Sequence, residues 1–427
     1  MNKSLVSFIK SKTGTVILLI LIFFLFAGIV ISRRVDSVVY PQFWAEDGVF
    51  WYSEAYNTTN PVTLFLIPKQ GYFQTISRVG GAVGVLFDIR QAPLIFNLVA
   101  IAIQVLPALF FLSRRFEKIA PKLYQRFFLG LAYLILPGTA ETHANLTNAQ
   151  WHLAILMFLL IVAAPAKNNY WRIFDVIFLL LAGLSGPFIF FAFPISLAYF
   201  YFTKNFREKI LSFNVLALTF LLQIYSFFFI VSDAARSKEQ LGANLINFFK
   251  ILAGDVFVTG IYGLNHYQHL THSHAWKDGT LPVIFGTAGI ILLGYIFWKS
   301  TIELRLFIIY AFMILAAGMA SPMVSLDKPQ WQLMAGGSGN RYYLLPILAW
   351  IVSLIWLAFY GSGKIYRGLA IVLLLIFIFV GVPRDYIFKP KKNFHFQEQA
   401  QAFNKLPAGQ PYTFKFIPKW TMTLIKK

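Results

Sequence analysis

The stretch FWAEDGVFWYSEAY (43–56) sets three acids, Glu46, Asp47 and Glu54, among six aromatic rings. The chain has only 17 acidic residues in 427, and adjacent carboxylates in apolar surroundings are costly unless they have a role. A carboxylate held there can act as a general base, taking the proton of a hydroxyl nucleophile. On a helix, Phe43, Asp47, Phe50 and Glu54 share one face by their 4, 3, 4 spacing, with Trp44, Gly48 and Trp51 on the next. The expectation is a helix lying at a membrane interface, its aromatics at headgroup level, with Gly48 leaving room for a substrate beside Asp47. The plainer alternatives are a solvated loop or an acid capping a helix N-terminus.

Cations stand in two nearby segments. PKQGYFQTISR (68–78) brings Lys69, Tyr72 and Arg78 past the chain-breaking Pro68 and Gly71, and GGSGNRYYLLP (336–346) brings Arg341 and Tyr342 after a glycine-rich run. Arginine forks match phosphate oxygens, and glycines let backbone N–H groups approach an anion. Charges that merely flank a span and reach toward headgroups are the alternative. PGTAETHANLTNAQWH (137–152) crowds Glu141, His143, Asn145, Asn148, Gln150 and His152 between two apolar runs, with Asn148 and His152 at the mouth of the next helix. Polar groups at a span's end often line a cavity; for Glu141 and His143 a hydrated loop is the competing reading. Four of the seven histidines, His266, His269, His272 and His274, lie in one short stretch. Their 3, 3, 2 spacing matches no defined zinc motif, which leaves a solvated or substrate-lining loop. There is no cysteine, hence no thiolate chemistry, and no metal site is assigned. The chain also lacks a Walker pattern, a G-x-G-x-x-G run and an H-E-x-x-H, which weighs against ATP-driven transport, dinucleotide folds and zinc proteolysis.

These residues must be positioned by membrane helices. Hydrophobic residues make up 58% and charged residues 13% of the chain, where a soluble domain carries about a quarter charged. Mean hydropathy is +0.65. Spans of about 20 apolar residues are expected at 14–32, 91–113, 125–138, 150–166, 172–184, 187–203, 211–232, 281–299, 304–320, 342–360 and 366–382, eleven in all. The fold class is therefore an all-α polytopic membrane protein.

The net charge of +20 is scattered over short loops rather than gathered on one face, which argues against nucleic acid as a partner and for orientation of the helices. Lys3, Lys10 and Lys12 place the N-terminus in the cytoplasm. The alternate loops then hold Arg114, Arg115, Lys118, Lys122 and Arg126, Lys167 and Arg172, Lys204, Arg207 and Lys209, Lys299 and Arg305, and Lys364 and Arg367, while the short gaps at 139–149 and 185–186 hold no Lys or Arg. The first loop (33–90), a second (233–280), a third (321–341) and the tail fall on the outer side. Residues 76–89 are too short to span and are expected as an interfacial helix, with Ser77, Gly80, Gly81 and Gly84 as a close-packing face. The chain divides into a membrane domain (1–382) and a small extracytoplasmic tail (383–427), whose PYTFKFIPKWTMTL alternation predicts a β-hairpin turning at Pro418–Lys419.

One span, a long outer loop with an acidic pair, a Pro/Gly element with a surface helix, and a second span ending in basic residues resemble the GT-C superfamily of membrane glycosyltransferases. WAEDG with PKQGYFQTISR stands where that family has its acidic motif and the following Pro-rich element. NAQWH, GNRYYLLP and PKWTMTL resemble bacterial membrane proteins of the same kind. The likeness covers the architecture of the whole chain and specific residues only in patches. It implies transfer of a sugar from a polyprenyl-phosphate donor to a glycan, lipid or protein acceptor, on the outer face of a plasma membrane, by a single inverting displacement. Asp47 would be the catalytic base, with Glu46 its competitor, since the order here is Glu-Asp where many relatives have Asp-Glu. Arg341 and Arg78 would hold the donor phosphate, and Lys69, Tyr72, Asn148, His152 and Tyr342 would complete the substrate contacts. Some relatives use a divalent cation and others do not, and the sequence does not decide. The rivals are a flippase or transporter of lipid-linked glycans, which would show buried mid-span charges and repeated halves, and an O-antigen polymerase or ligase relying on outer arginines and histidines.

Overall fold

Apolar runs in lipid must satisfy their own backbone groups, and helices do so within one segment. The computed structural model describes residues 12–230, 239–325 and 327–427, so Lys3 and Lys10 lie outside the described residues. The main helices are α1 (Lys12–Arg33), α2 (Thr75–Gly84), α3 (Ala92–Phe111), α4 (Leu123–Leu134), α5 (Ala149–Val162), α6 (Asn169–Gly183), α7 (Ile189–Thr203) and α8 (Ile210–Phe229). They continue with α9 (Leu245–Tyr262), α10 (Thr280–Lys299), α11 (Ile302–Ala320), α12 (Leu344–Tyr360), α13 (Lys364–Asp385) and α14 (Phe396–Asn404).

By length and composition, eight helices among the described residues can cross a membrane: α1, α3, α8, α9, α10, α11, α12 and α13. Four of the eleven expected spans fold as α4 to α7, of 12, 14, 15 and 15 residues. At 1.5 Å per residue these fall short of the roughly 30 Å hydrocarbon core. The eighth long helix, α9, lies where the sequence reading expects an outer loop. Its window has a mean hydropathy of only 1.4, because Asn247, Lys250 and Asp255 interrupt the apolar run.

The helices share two ends. α10 and α11 are joined by a two-residue link, as α12 and α13 are by Gly361–Gly363. That far end also carries Arg115, whose guanidinium grips Asp175 with two bonds of 2.6 and 2.8 Å and donates to Ala164 O. Lys209 caps the end of α5 there through Leu160 O and Ile161 O. The other end gathers the long loops. Both ends of α9 meet this second end: Ile246 packs on Gly279 just before α10, and Ile261 O packs on Gly381 near the close of α13.

The small-residue face of α2 is a packing face. A Cβ on Gly81 would stand 2.3 Å from Trp51 O, and one on Gly84 would meet Phe96. The hairpin forms as expected, with β1 (Pro411–Phe416) antiparallel to β2 (Trp420–Ile425) and Phe414 opposite Met422. Phe414, Phe416, Met422 and Leu424 point inward, against α14 and the first loop. The tail is thus not separate from the membrane domain. Ala45 N donates to Ile417 O at 2.7 Å, and Phe43 packs on both Phe396 and Phe416.

Candidate functional site

The stretch that opens the sequence reading is not a surface helix. Its helical part begins at Asp47 as a wide π-type turn, Asp47–Tyr52, and continues as Ser53–Asn57. Phe43 lies outside it, so the expected 4, 3, 4 face does not form. The aromatics are core: Phe43, Trp51 and Tyr52 are buried beneath the tail and α2. Gly48 makes room for a side chain of the protein rather than for substrate, since a Cβ there would stand 2.5 Å from Phe416 Cζ. Gly48→Ala is expected to loosen the tail and lower stability by about 1–3 kcal/mol. Limited proteolysis of the tail and the melting temperature check this; an unchanged melt with a protected tail would contradict it.

The two adjacent acids have opposite fates. Asp47 is fully buried. Its Oδ1 accepts from Thr147 N (2.8 Å) and Thr147 Oγ1 (2.9 Å), its Oδ2 from Leu146 N (3.3 Å), and Trp51 Nε1 donates to Thr147 Oγ1 behind it. Burial pushes its carboxyl up to about 7, and the hydrogen bonds from Thr147 and Leu146 restrain the rise. A group so enclosed anchors the 139–148 loop to the first loop and cannot meet an acceptor. Glu46 is partly exposed, and among the described residues its carboxylate meets only its own backbone N–H and no donor of another residue. Burial raises it above the usual glutamate range; Arg341 and Glu141 lie close enough for their charges to act on it, the first lowering and the second raising.

The expected phosphate cations are mostly engaged. Glu54 accepts from Lys69 Nζ at 2.7 Å and Arg78 Nη1 at 2.5 Å. Burial opposes ionisation of Glu54, but those bonds and charges together hold it below its ordinary value. Arg78 is buried, with its guanidinium 5.0 Å from the Trp51 ring. Lys69 and Arg78 are therefore a structural triad with Glu54 rather than a free phosphate clamp. Tyr72 closes the adjacent turn by exchanging backbone hydrogen bonds with Lys69. Arg341 is held by Glu141 through Nη1 and its own backbone N–H, and by Met323 O, yet its side chain remains 24% exposed. It is the expected cation that stays at the site.

The other expected contacts are scaffolding. Asn148 Nδ2 donates to Glu141 O and Asn145 Oδ1. The ring of His152 bridges Tyr133 Oη (2.7 Å) and Thr142 O (2.9 Å) and is buried. Tyr342 packs between Trp151 and Gly318, with its hydroxyl accepting from Met323 N. His143 is buried between Gln104 and Val30 O. His266, His269, His272 and His274 spread along a surface helix and turn, His274 beside Asp278 at 3.2 Å. Among the described residues no three His, Asp or Glu side chains converge as a metal site.

Two cations that sequence reasoning missed lie against the first loop, and the charge of Asp47 reaches one of them, Lys391. Arg34, just past α1, donates to Ala140 O at 2.9 Å and lies 5.1 Å from the Phe388 ring. Lys391, from the tail, sets its ammonium 4.0 Å from the centre of the Trp44 ring, with its backbone N–H on Asp36 Oδ2. Burial, and next the charge of Arg34, push Lys391 down to about 7 against the pull of Asp47 and Asp36. Only the flanking basic runs hinted at either residue. Arg33 shows the contrasting use of such a charge: it is fully buried and spent on Leu134 O, Leu136 O, Asp385 O and Tyr386 O. No family model matches the chain, and no curated protein matches it.

Proposed function

We propose that this protein is a multi-pass glycosyltransferase that moves a sugar from a polyprenyl-phosphate donor to an acceptor hydroxyl, with Glu46 as the base. The observation that carries the reading is the contrast within the acidic pair. Asp47 is sealed and held by Thr147 and Leu146, whereas Glu46 is partly exposed, is hydrogen-bonded only by its own backbone N–H among the described residues, and lies within the field of Arg341. Glu46 takes the proton of the acceptor O–H as that oxygen bonds to the anomeric carbon. The bond from that carbon to the phosphate oxygen breaks, and the electron pair leaves with polyprenyl phosphate, its charge drawn off by nearby cations. One displacement inverts the anomeric centre. The resemblance in architecture to GT-C enzymes supports the choice of donor.

Eleven crossings fit this reading, with α4 to α7 as short or locally thinned spans. The alternate, far-end loops carry Arg114, Arg115, Lys167, Arg172, Lys299 and Arg305, which supports a cytoplasmic far end, with the site and tail on the outer side of a plasma membrane. α9 re-enters without crossing, since both of its ends meet the site end. The test is to incubate proteoliposomes with labelled polyprenyl-phosphate sugars and a membrane extract as acceptor source. Label should move out of the donor lipid and appear with the opposite anomeric configuration. Retention of configuration would exclude the single displacement.

One observation favours transport instead. Asp255 in α9 is buried, and among the described residues its carboxyl has only Tyr267 Oη within reach, a hydroxyl that donates to Ala335 O. A transporter would use such a carboxyl to carry a proton or cation. The enzyme reading treats it as an uncompensated cost, and Asp255→Asn is then expected to keep turnover and raise stability by about 1–3 kcal/mol. Loss of function with an unchanged melt would favour transport.

A further inference from the structure

We propose that Arg34 and Lys391 form an anion site for the phosphate of a membrane-anchored donor, so that the C-terminal tail supplies a substrate-binding residue. The inference rests on the proposed function for the identity of the donor, but not for the site itself. Two cations from opposite ends of the chain are brought beside one another by Phe388, on which Arg34 stacks, and by Asp36, which fixes the Lys391 backbone. Neither is neutralised by contact. The Lys391 ammonium has no hydrogen bond among the described residues and only the Trp44 face beneath it. Arg34 uses Nη1 alone, on Ala140 O, while its Nε is buried with no partner.

The acids nearby pull on these charges through space, Asp36 on both and Asp47 on Lys391, but none among the described residues forms an ion pair with either. Asp36 Oδ2 accepts the Lys391 backbone N–H, and Asp47 is taken by Thr147 and Leu146. Like charges so placed repel, and the fold retains them without a protein counter-charge in contact. An anion with several acceptor oxygens relieves both, and a phosphate group has the geometry for an arginine fork plus a point-charge lysine. The cations expected from the sequence, and Arg33, are already engaged. Arg341 already holds Glu141, Lys69 and Arg78 hold Glu54, and Arg33 is spent on carbonyls. The position suits the chemistry, since Trp44 carries Lys391 on its face and lies two residues before Glu46. The phosphate that leaves the anomeric carbon would then sit across from the base that deprotonates the acceptor.

The experiment measures equilibrium binding of radiolabelled polyprenyl phosphate to the full chain in nanodiscs, for the wild type, Lys391→Gln and Arg34→Gln, with inorganic phosphate as competitor. Each variant is expected to weaken binding about 10- to 100-fold, the scale of one charged hydrogen bond. Competition by inorganic phosphate would show that the headgroup alone is recognised; its absence, with lipid binding still lost in the variants, would show that the lipid-linked phosphate is required. Arg34→Gln also removes the bond to Ala140 O, so a folding failure there leaves Lys391→Gln to decide, since the Lys391 ammonium makes no hydrogen bond among the described residues. Wild-type affinity in Lys391→Gln overturns the site. Tight, Lys391-dependent binding without sugar transfer overturns the glycosyltransferase reading and leaves the site standing; transfer with Lys391-independent binding does the reverse.

Discussion

Replacing Glu46 by Gln is expected to lower kcat by about 10²- to 10⁴-fold, the span contributed by a positioned general base, with little change in KM or melting temperature. The side chain is partly exposed and meets only its own backbone N–H among the described residues, so an amide of the same shape removes no contact with another residue. Asp47→Asn should behave in the opposite way. The carboxylate accepts from Thr147 N, Thr147 Oγ1 and Leu146 N, and an amide offers one acceptor oxygen where two are used. A donor then faces a donor in a dry site, at a cost of about 1–3 kcal/mol. The melt should fall, and turnover should fall only as far as the first loop shifts. The pH profile gives a further handle. A base works ionised, so kcat/KM declines as pH falls through the Glu46 pKa, and burial has moved that pKa above the ordinary glutamate range. The acidic limb should therefore lie higher than for a solvated glutamate. A limb in the ordinary range, or a full-rate Glu46→Gln variant, contradicts the assignment.

The largest stability effect is expected far from the site, at Asp175. Arg115 and Asp175 meet through two charged hydrogen bonds with side chains only 7% and 5% exposed. Asp175→Asn leaves a buried guanidinium uncompensated, which costs about 3–5 kcal/mol, a large part of a typical net stability of about 5–15 kcal/mol. Denaturation in detergent micelles measures it. The pair is a burden as well as a tie, because both charges were taken out of water. Arg115→Met with Asp175→Leu should therefore recover most of the loss. A shift below about 1 kcal/mol in Asp175→Asn would mean that water reaches the pair.

The long apolar helices and the tail hairpin were legible because hydrophobic run length and period-2 alternation are local signals. α9 was not, since Lys250 and Asp255 break its run, and only packing against α10 and α13 reveals its course. The acidic pair could be found but not sorted. Helical spacing put Asp47 forward, whereas the chain makes a wide π turn there and points Asp47 at residues 146–147, a hundred positions away in sequence. Glu54 engages both Lys69 and Arg78, a pairing that no spacing rule announces. Lys391 is the clearest case. It lies 345 positions after Glu46 (391 less 46) in a polar tail, and becomes a site residue only because Phe396, Phe414 and Phe416 pack the tail onto Phe43 and Gly48.

Glu46, rather than Asp47, is the residue proposed to drive sugar transfer from a lipid phosphate. The most direct measurement is the initial rate of polyprenyl-phosphate release by purified wild type and Glu46→Gln in the same proteoliposomes, supplied with the donor sugar found active in the transfer assay. Steady release by the wild type and at least about a hundredfold slower release by the variant, at an unchanged melting temperature, are expected. Equal rates, or no release by folded wild type from any polyprenyl-phosphate sugar, would contradict it.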